Sequence, residues 1–185
     1  MIAMEPTEAG LAIERGFLTD FTTVITTTER VYSTAEKVSA GDGRIDVIPV
    51  IGAIKKAAKK INKKLKILGV TVLTGFSNQS LKKTGHTRSI KNLVIHQTKL
   101  AKSAGLDGIV CSAEETRFVK KICKNMEIVT PGIRLSGDNV QDQNKNRVVN
   151  PKSAFNNGAT AIVIGRSITQ GSIKNNLQKL IKSLN

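Results

Sequence analysis

The sequence predicts an α/β fold built on a parallel sheet, and three observations carry that prediction. Strand-like and helix-like segments alternate from Leu65 to the C-terminus. The strand-like segments are continuous apolar runs without polar alternation, as expected of strands covered on both faces. The chain has 185 residues, 39% of them hydrophobic, enough for one domain with a core.

The elements follow in order. "LKILGVTVL" (Leu65 to Leu73) is an apolar, β-branched run and reads as a buried strand. A polar loop, with room for a short helical turn, leads to "RSIKNLVIHQTKLAKSAG". There Ile90, Leu93, Val94, Gln97, Leu100 and Ala101 recur at helical spacing, and Gly105 closes the helix. "DGIVCS" (Asp107 to Ser112) is the next strand. Ser112 then stands as N-cap of the following helix, with Glu115 completing a capping box.

"EIVTPGI" is a strand ended by Pro131 and Gly132. A polar loop from Arg134 to Asn150 follows, and Pro151 suits the first turn of the next helix. "ATAIVIG" (Ala159 to Gly165) is the last strand. The final helix carries Ile173, Leu177, Leu180, Ile181 and Leu184 on one face. Upstream, "RIDVIPV" (Arg44 to Val50) and the helix ending at Lys64 make one more pair, giving five βα units from Arg44 onward. Residues 1–43 are expected to form a diverged N-terminal segment and residues 44–185 the βα-repeat portion. The stretch from Gly16 to Tyr32 is threonine-rich and reads as one strand, or a strand plus loop.

Composition narrows the function classes. The formal charge of +15 attracts polyanions in principle, yet the lysines are spread over many segments as a solvated surface would have them. Five Phe, one Tyr and no Trp leave little for base stacking, and no nucleic-acid motif is present. No run is long and apolar enough to span a bilayer, and the N-terminus lacks the order of a signal peptide. Cys111 and Cys123 have no metal-ligand spacing and fit a reduced, cytoplasmic compartment. His86 and His96 pair with no carboxylate at catalytic or metal spacing.

In a parallel α/β array, ligands sit at the carboxyl ends of the strands. Two of those ends carry a glycine and an arginine: "TPGIR" and "IVIGRS". Gly165 lets main-chain N–H groups approach an anion, and the Arg166 guanidinium adds a forked, permanently charged partner for phosphate oxygens. Arg134 leaves its strand into a loop long enough to bind or cover a ligand, and Gln143 within it has amide hydrogens to donate. The plainer alternative is a turn glycine, a solvated arginine and an ordinary polar loop.

"GLDGIVCSAEE", "IVTPGIRL", "DQ" followed by "RVVNP", and "AIVIGRSIT", with "LGVTVLT" before them, together resemble the orotidine 5'-phosphate decarboxylase family from about Arg44 to the end. The resemblance implies a (β/α)8 TIM barrel, here incomplete with about five clear βα units. It implies conversion of orotidine monophosphate to uridine monophosphate without metal or cofactor, and a homodimer. By the same resemblance Gly165, Arg166 and Gln143 hold the phosphate. Arg134 lies in the loop that closes over substrate, and Thr74 ends a strand near the pyrimidine.

The family's catalytic signature is similar to "FLDLKFHDIPNT", and the only candidate stretch here is "FLTDFTTVITTT" (Phe17 to Thr28). In that register Thr19 and Val24 stand for the two aspartates and Phe21 for the lysine. Gly75 stands where a serine is usual, and "NKN" lengthens the step after Gln143. No catalytic residue is identified. The alternative to an enzyme is a nucleotide-binding or partner-binding remnant.

Overall fold

The computed structural model describes residues 2–3, 15, 24–27, 47–72, 74–135 and 149–184. Six parallel strands form one sheet in the order of the chain, with a strand–helix alternation from β3 onward. The strands are β1 (Ile2–Ala3), β2 (Val24–Thr27), β3 (Ile67–Val70), β4 (Gly108–Val110), β5 (Glu127–Thr130) and β6 (Ala161–Ile162). The helices are α1 (Val47–Ile61), α2 (Asn78–Lys83), α3 (Ile90–Ser103), α4 (Thr116–Ile122), α5 (Pro151–Asn156), α6 (Arg166–Thr169) and α7 (Ile173–Leu184).

Four expectations need correction. The strand expected over Arg44–Val50 is absent at its downstream end, because Val47–Val50 form the first turn of α1. Ile51, Ile54 and Ala58 are buried at helical spacing, and that period wins over β-branched propensity. Pro49 sits in the first helical turn, where its missing N–H costs nothing. Among the described residues four strands, not five, lie beyond Arg44, and two more come from the first 43 residues. The last strand is also shorter than expected. Only Ala161 and Ile162 pair in the ladder, and Val163 is half exposed.

The fourth correction concerns Ser112. Helix α4 begins at Thr116, and Glu115, which occupies the cap position, makes no side-chain cap bond. Ser112 and Glu115 bond to each other instead, side chain to side chain. Elsewhere the local chemistry follows expectation. Pro151 opens α5 beneath an Asn150 cap whose Oδ1 accepts from Ser153 N at 2.8 Å. The loop after β3 contains α2, started by a reciprocal Ser77–Ser80 capping box.

The main core lies between sheet and helices: Ile67 and Ile109 from β3 and β4, Ile128 from β5, and Leu93, Val94, Ala101 and Val119 from α3 and α4. The face of α3 anticipated at Ile90, Leu93, Val94, Gln97 and Ala101 is the buried one, with Thr98 added and Leu100 only half-buried. A second cluster of Ala113, Ile133, Ala154 and Ala159 closes the β5–α5–β6 end. Replacing Ile128, which is fully buried, with Ala is expected to cost about 3 kcal/mol in a denaturant melt.

The amino ends of the strands are tied by charge. The Asp107 carboxylate accepts from Ile67 N at 2.9 Å and pairs with Lys59 at 3.1 Å and Lys55 at 3.2 Å. Partial burial pushes this carboxyl up, but the Ile67 amide and the two lysines outweigh it and hold it below its ordinary value. Lys66 and Thr160 likewise bond to Glu127 and lower its carboxyl.

A depressed folded-state value means that the stabilisation is complete above the ordinary value of 3.8 and lost as pH falls through the lower folded one. Asp107→Asn is therefore expected to cost about 1 kcal/mol at neutral pH, discounted for half-exposed lysines. The difference from wild type should shrink as thermal melts are taken below pH 3.8.

Candidate functional site at the strand carboxyl ends

All strands are parallel, so their carboxyl ends share one edge of the sheet. Strands β5 and β6 are hydrogen-bonded neighbours, with Thr130 opposite Ile162. Arg134 lies four residues past Thr130, and Arg166 lies four residues past Ile162. Adjacent strands in register thus deliver the two arginines to the same edge at the same offset. Thr74, which is buried, and the exposed Gly75 follow β3 at that edge.

The turn after β5 needs its glycine: Gly132 has φ +77°, a conformation that a side chain disfavours. Beyond it Ile133 bridges to Val149 in parallel, and Arg134 N donates to Val149 O at 3.1 Å. Both ends of the long loop are therefore pinned beside β5. Gln143 lies in that loop, outside the described residues. The Arg134 guanidinium is half-buried and donates from Nη1 to Ile133 O at 3.0 Å.

Gly165 is exposed and has φ outside the left-handed region, so backbone strain does not demand a glycine there. A Cβ at that position would meet nothing within 4 Å, so the space in front of it is open. The Gly165 carbonyl accepts from Ile168 N at 2.9 Å and Thr169 N at 3.1 Å, which starts α6 with Arg166 as its first residue. Arg166 itself is exposed. Next to it the Ser167 hydroxyl is buried and has no hydrogen-bond partner among the described residues.

Beneath these loops lies a buried hydroxyl network that the sequence reading did not single out. Thr116 Oγ1 donates to Ser112 O at 3.1 Å, so its contact with Thr130 Oγ1 at 3.3 Å takes the Thr130 proton. Cys111 Sγ is 3.8 Å from Thr116 Oγ1. Ser112 Oγ donates to the Glu115 carboxylate, which is only 3% exposed. Asn157 then braces the β4 exit by donating to Ala113 O at 3.1 Å. The signal was available: Thr130 and Ser112 are hydroxyl residues at the ends of apolar runs, where a buried polar group needs a partner.

The stretch that resembles the catalytic signature lies only in part within the described residues. Thr19 and Phe21 lie outside the described residues, whereas Val24 opens β2 and pairs with Ile67. Val24 therefore sits at the amino end of its strand, away from the edge that holds Thr74 and Arg166. No cluster of three or more His, Cys, Asp or Glu able to hold a metal occurs among the described residues. Among the same residues no helix is long and apolar enough to cross a membrane. Burial pushes the Cys123 thiol above its ordinary value.

Fold and site together define an α/β protein of the TIM-barrel class, with its loops of interest at the carboxyl ends of a parallel sheet. Residues 26–178 match the model of the "Orotidine 5'-phosphate decarboxylase / HUMPS family", and the chain belongs to that family. It is 41% identical over 147 residues to an orotidine 5'-phosphate decarboxylase of Wolbachia pipientis, a match that takes in 77% of this chain and 64% of that protein. The corresponding protein of Coxiella burnetii is 40% identical over 131 residues, which are 70% of this chain and 54% of that one. The chain thus spans less than two thirds of the length of these relatives. Among solved structures, the orotidine 5'-phosphate decarboxylase of Lactobacillus acidophilus superposes with a TM-score of 0.68 at 25% identity. That superposition covers 100% of this chain and 72% of the other. A Methanocaldococcus jannaschii orotidine 5'-monophosphate decarboxylase, solved with the inhibitor BMP, shares the fold with a TM-score of 0.61 at 19% identity.

Proposed function

We propose that this chain holds the 5'-phosphate of orotidine or uridine monophosphate at the carboxyl ends of β5 and β6, and that as a decarboxylase it is severely impaired. The observation that carries the phosphate reading is the register of those two strands, which brings Arg134 and Arg166 to one edge at equal offset. The open space before Gly165 supports it, since a phosphate oxygen can approach the main chain there. Arg166 supplies the charge-assisted bonds, and the unpartnered Ser167 hydroxyl is a further donor at the same turn. The family resemblance adds Gln143 at the phosphate and Thr74 near the pyrimidine. By family likeness the protein acts as a homodimer.

The impairment follows from the sequence. Decarboxylation breaks a carbon–carbon bond and leaves an electron pair on a ring carbon, with no cofactor to spread it. The family answers with a carboxylate against the departing carboxylate and a lysine that stabilises and protonates the carbanion. Thr19, Phe21 and Val24 carry no charge, and none has an acid group that gives up a proton near neutral pH. A nucleotide-binding remnant is thus the second reading, favoured by the same three residues.

Titration with uridine monophosphate tests the phosphate site. Arg166→Ala is expected to weaken binding by about 2–3 kcal/mol, roughly 30- to 150-fold in Kd. Binding that survives both Arg166→Ala and Arg134→Ala unchanged would sink the assignment.

A further inference from the structure

We infer that the lysine-lined groove between α1 and the α3–β4 turn binds an oligophosphate, a short chain of linked phosphate groups. Sequence and fold concentrate positive charge there. No Asp or Glu stands between Asp46 and Asp107, and "KKAAKKINKK" (Lys55 to Lys64) lies within that interval. Helical spacing puts Lys55, Lys56, Lys59 and Lys60 on one side of α1, and Lys63 follows just beyond its end. All five line a cavity of about 560 Å³. Ala104 and Gly105, between α3 and β4, supply the facing wall. These two lead into the amino end of β4, so the groove lies at the opposite edge of the sheet from Arg134 and Arg166.

The charge in the groove is gathered and only partly answered. Lys55 and Lys59 both reach Asp107, at 3.2 Å and 3.1 Å, and Lys55 also donates to Gly105 O. Asp107 is the one carboxylate that meets the five lysines among the described residues, which leaves a net charge of +4. Lys56, Lys60 and Lys63 are exposed and make no ion pair among the described residues. Lysines one turn apart on a helix repel, as Lys56 and Lys60 do here, and a bound polyanion relieves that repulsion.

The lining selects the class of ligand. Each ammonium is a compact point charge with three donors, suited to phosphate oxygens. The groove has no arginine, whose planar fork grips a carboxylate in two bonds, so an acidic peptide fits it less well. Its lining apart from lysine is glycine and alanine. A nucleic-acid base therefore finds no aromatic face to stack on. A cavity of this volume takes a small ligand, and adjacent lysines favour phosphates placed in a row. The inference rests on α1 and its lysines, and the nucleotide site plays no part in it.

Titration calorimetry of the full chain with inorganic tripolyphosphate is the test. One molecule per chain is expected to bind at low salt with a Kd below about 100 μM. The triple substitution Lys56→Gln, Lys60→Gln, Lys63→Gln changes only exposed side chains. It should leave the melting temperature unchanged and weaken binding at least about tenfold. Lys174→Gln, Lys179→Gln, Lys182→Gln removes the same charge from α7 and should leave binding unchanged, as should Arg166→Ala. A nucleoside triphosphate titrated alongside is expected to bind about equally, and a tighter one of the two identifies the source of the phosphates. Absence of binding overturns the inference. So does an equal loss in the α7 variant, which would make net charge the cause, or a loss in Arg166→Ala, which would place the anion at the nucleotide site. A single-stranded RNA that binds more tightly through the same three lysines also overturns it, by making nucleic acid the occupant.

Discussion

Purified protein given orotidine monophosphate is expected to release carbon dioxide at least about 10⁴-fold more slowly than an intact member of the family. The size of the effect comes from two losses. A positioned proton donor is worth about 10² to 10⁴ in rate, and one preorganised electrostatic partner about 10² to 10³. In the register that the resemblance implies, Phe21 takes the place of the lysine that supplies the first and part of the second, and Thr19 and Val24 take the places of the two aspartates. Val24 opens β2 at the amino end of its strand, so a carboxylate at that position would lie away from the edge where Thr74 and Gly75 follow β3. Grip on the phosphate does not compensate, because remote binding energy accelerates only a step that the reacting centre can use. A stopped assay with labelled carboxylate measures this directly. Turnover near that of intact members would show that other groups do the chemistry and would reject the assignment of Phe17 to Thr28.

Gly108→Ala is expected to destabilise the protein by about 3 kcal/mol, a fall in Tm on the order of 10 °C. Gly108 sits in β4 between Leu68 of β3 and Glu127 of β5, in ladder with both. A Cβ there would lie 2.7 Å from Glu127 Cβ and 2.8 Å from Glu127 O, and would collide with Leu68 Cδ2. Backbone cannot step aside as the end of a flexible side chain can. Gly165→Ala is the control, since its Cβ would enter open space. It should shift Tm little while weakening uridine monophosphate binding, which separates a glycine kept for packing from one kept for a ligand.

Much of the fold was legible before any coordinates. The strands around Ile67, Ile109, Ile128 and Ala161 show as β-branched apolar runs, and α3 shows its buried face at 3.6 spacing. Local chemistry was legible too, as in Pro151 under the Asn150 cap. The Val47–Val50 turn was misread because the β-branched Val47, Ile48 and Val50 say strand as readily as helix. Pro49 was the overlooked signal, for a central strand does not tolerate it. Ser112 was misread because a capping box and a side-chain pair closing a turn share one sequence pattern.

At the site, the arginines after Gly132 and Gly165 could be named from sequence, since a glycine and a charge at a strand end are local features. Their approach to one edge could not, because it depends on Thr130 pairing with Ile162 across thirty residues of chain. The hydroxyl network of Ser112, Thr116 and Thr130 was hidden for the same reason.

The sequence by itself determined the alternation of elements, the apolar faces and the chemistry available at each strand end. All of these depend on residues within a turn or two of one another. Only the tertiary structure decided that the six described strands lie side by side in chain order, that Val24 stands at the amino end of its strand, and that the stripe of α7 is exposed. Periodicity reports that a face is apolar and says nothing of what covers it. The cover comes from segments distant in the chain, and their placement is a property of the packed sheet as a whole.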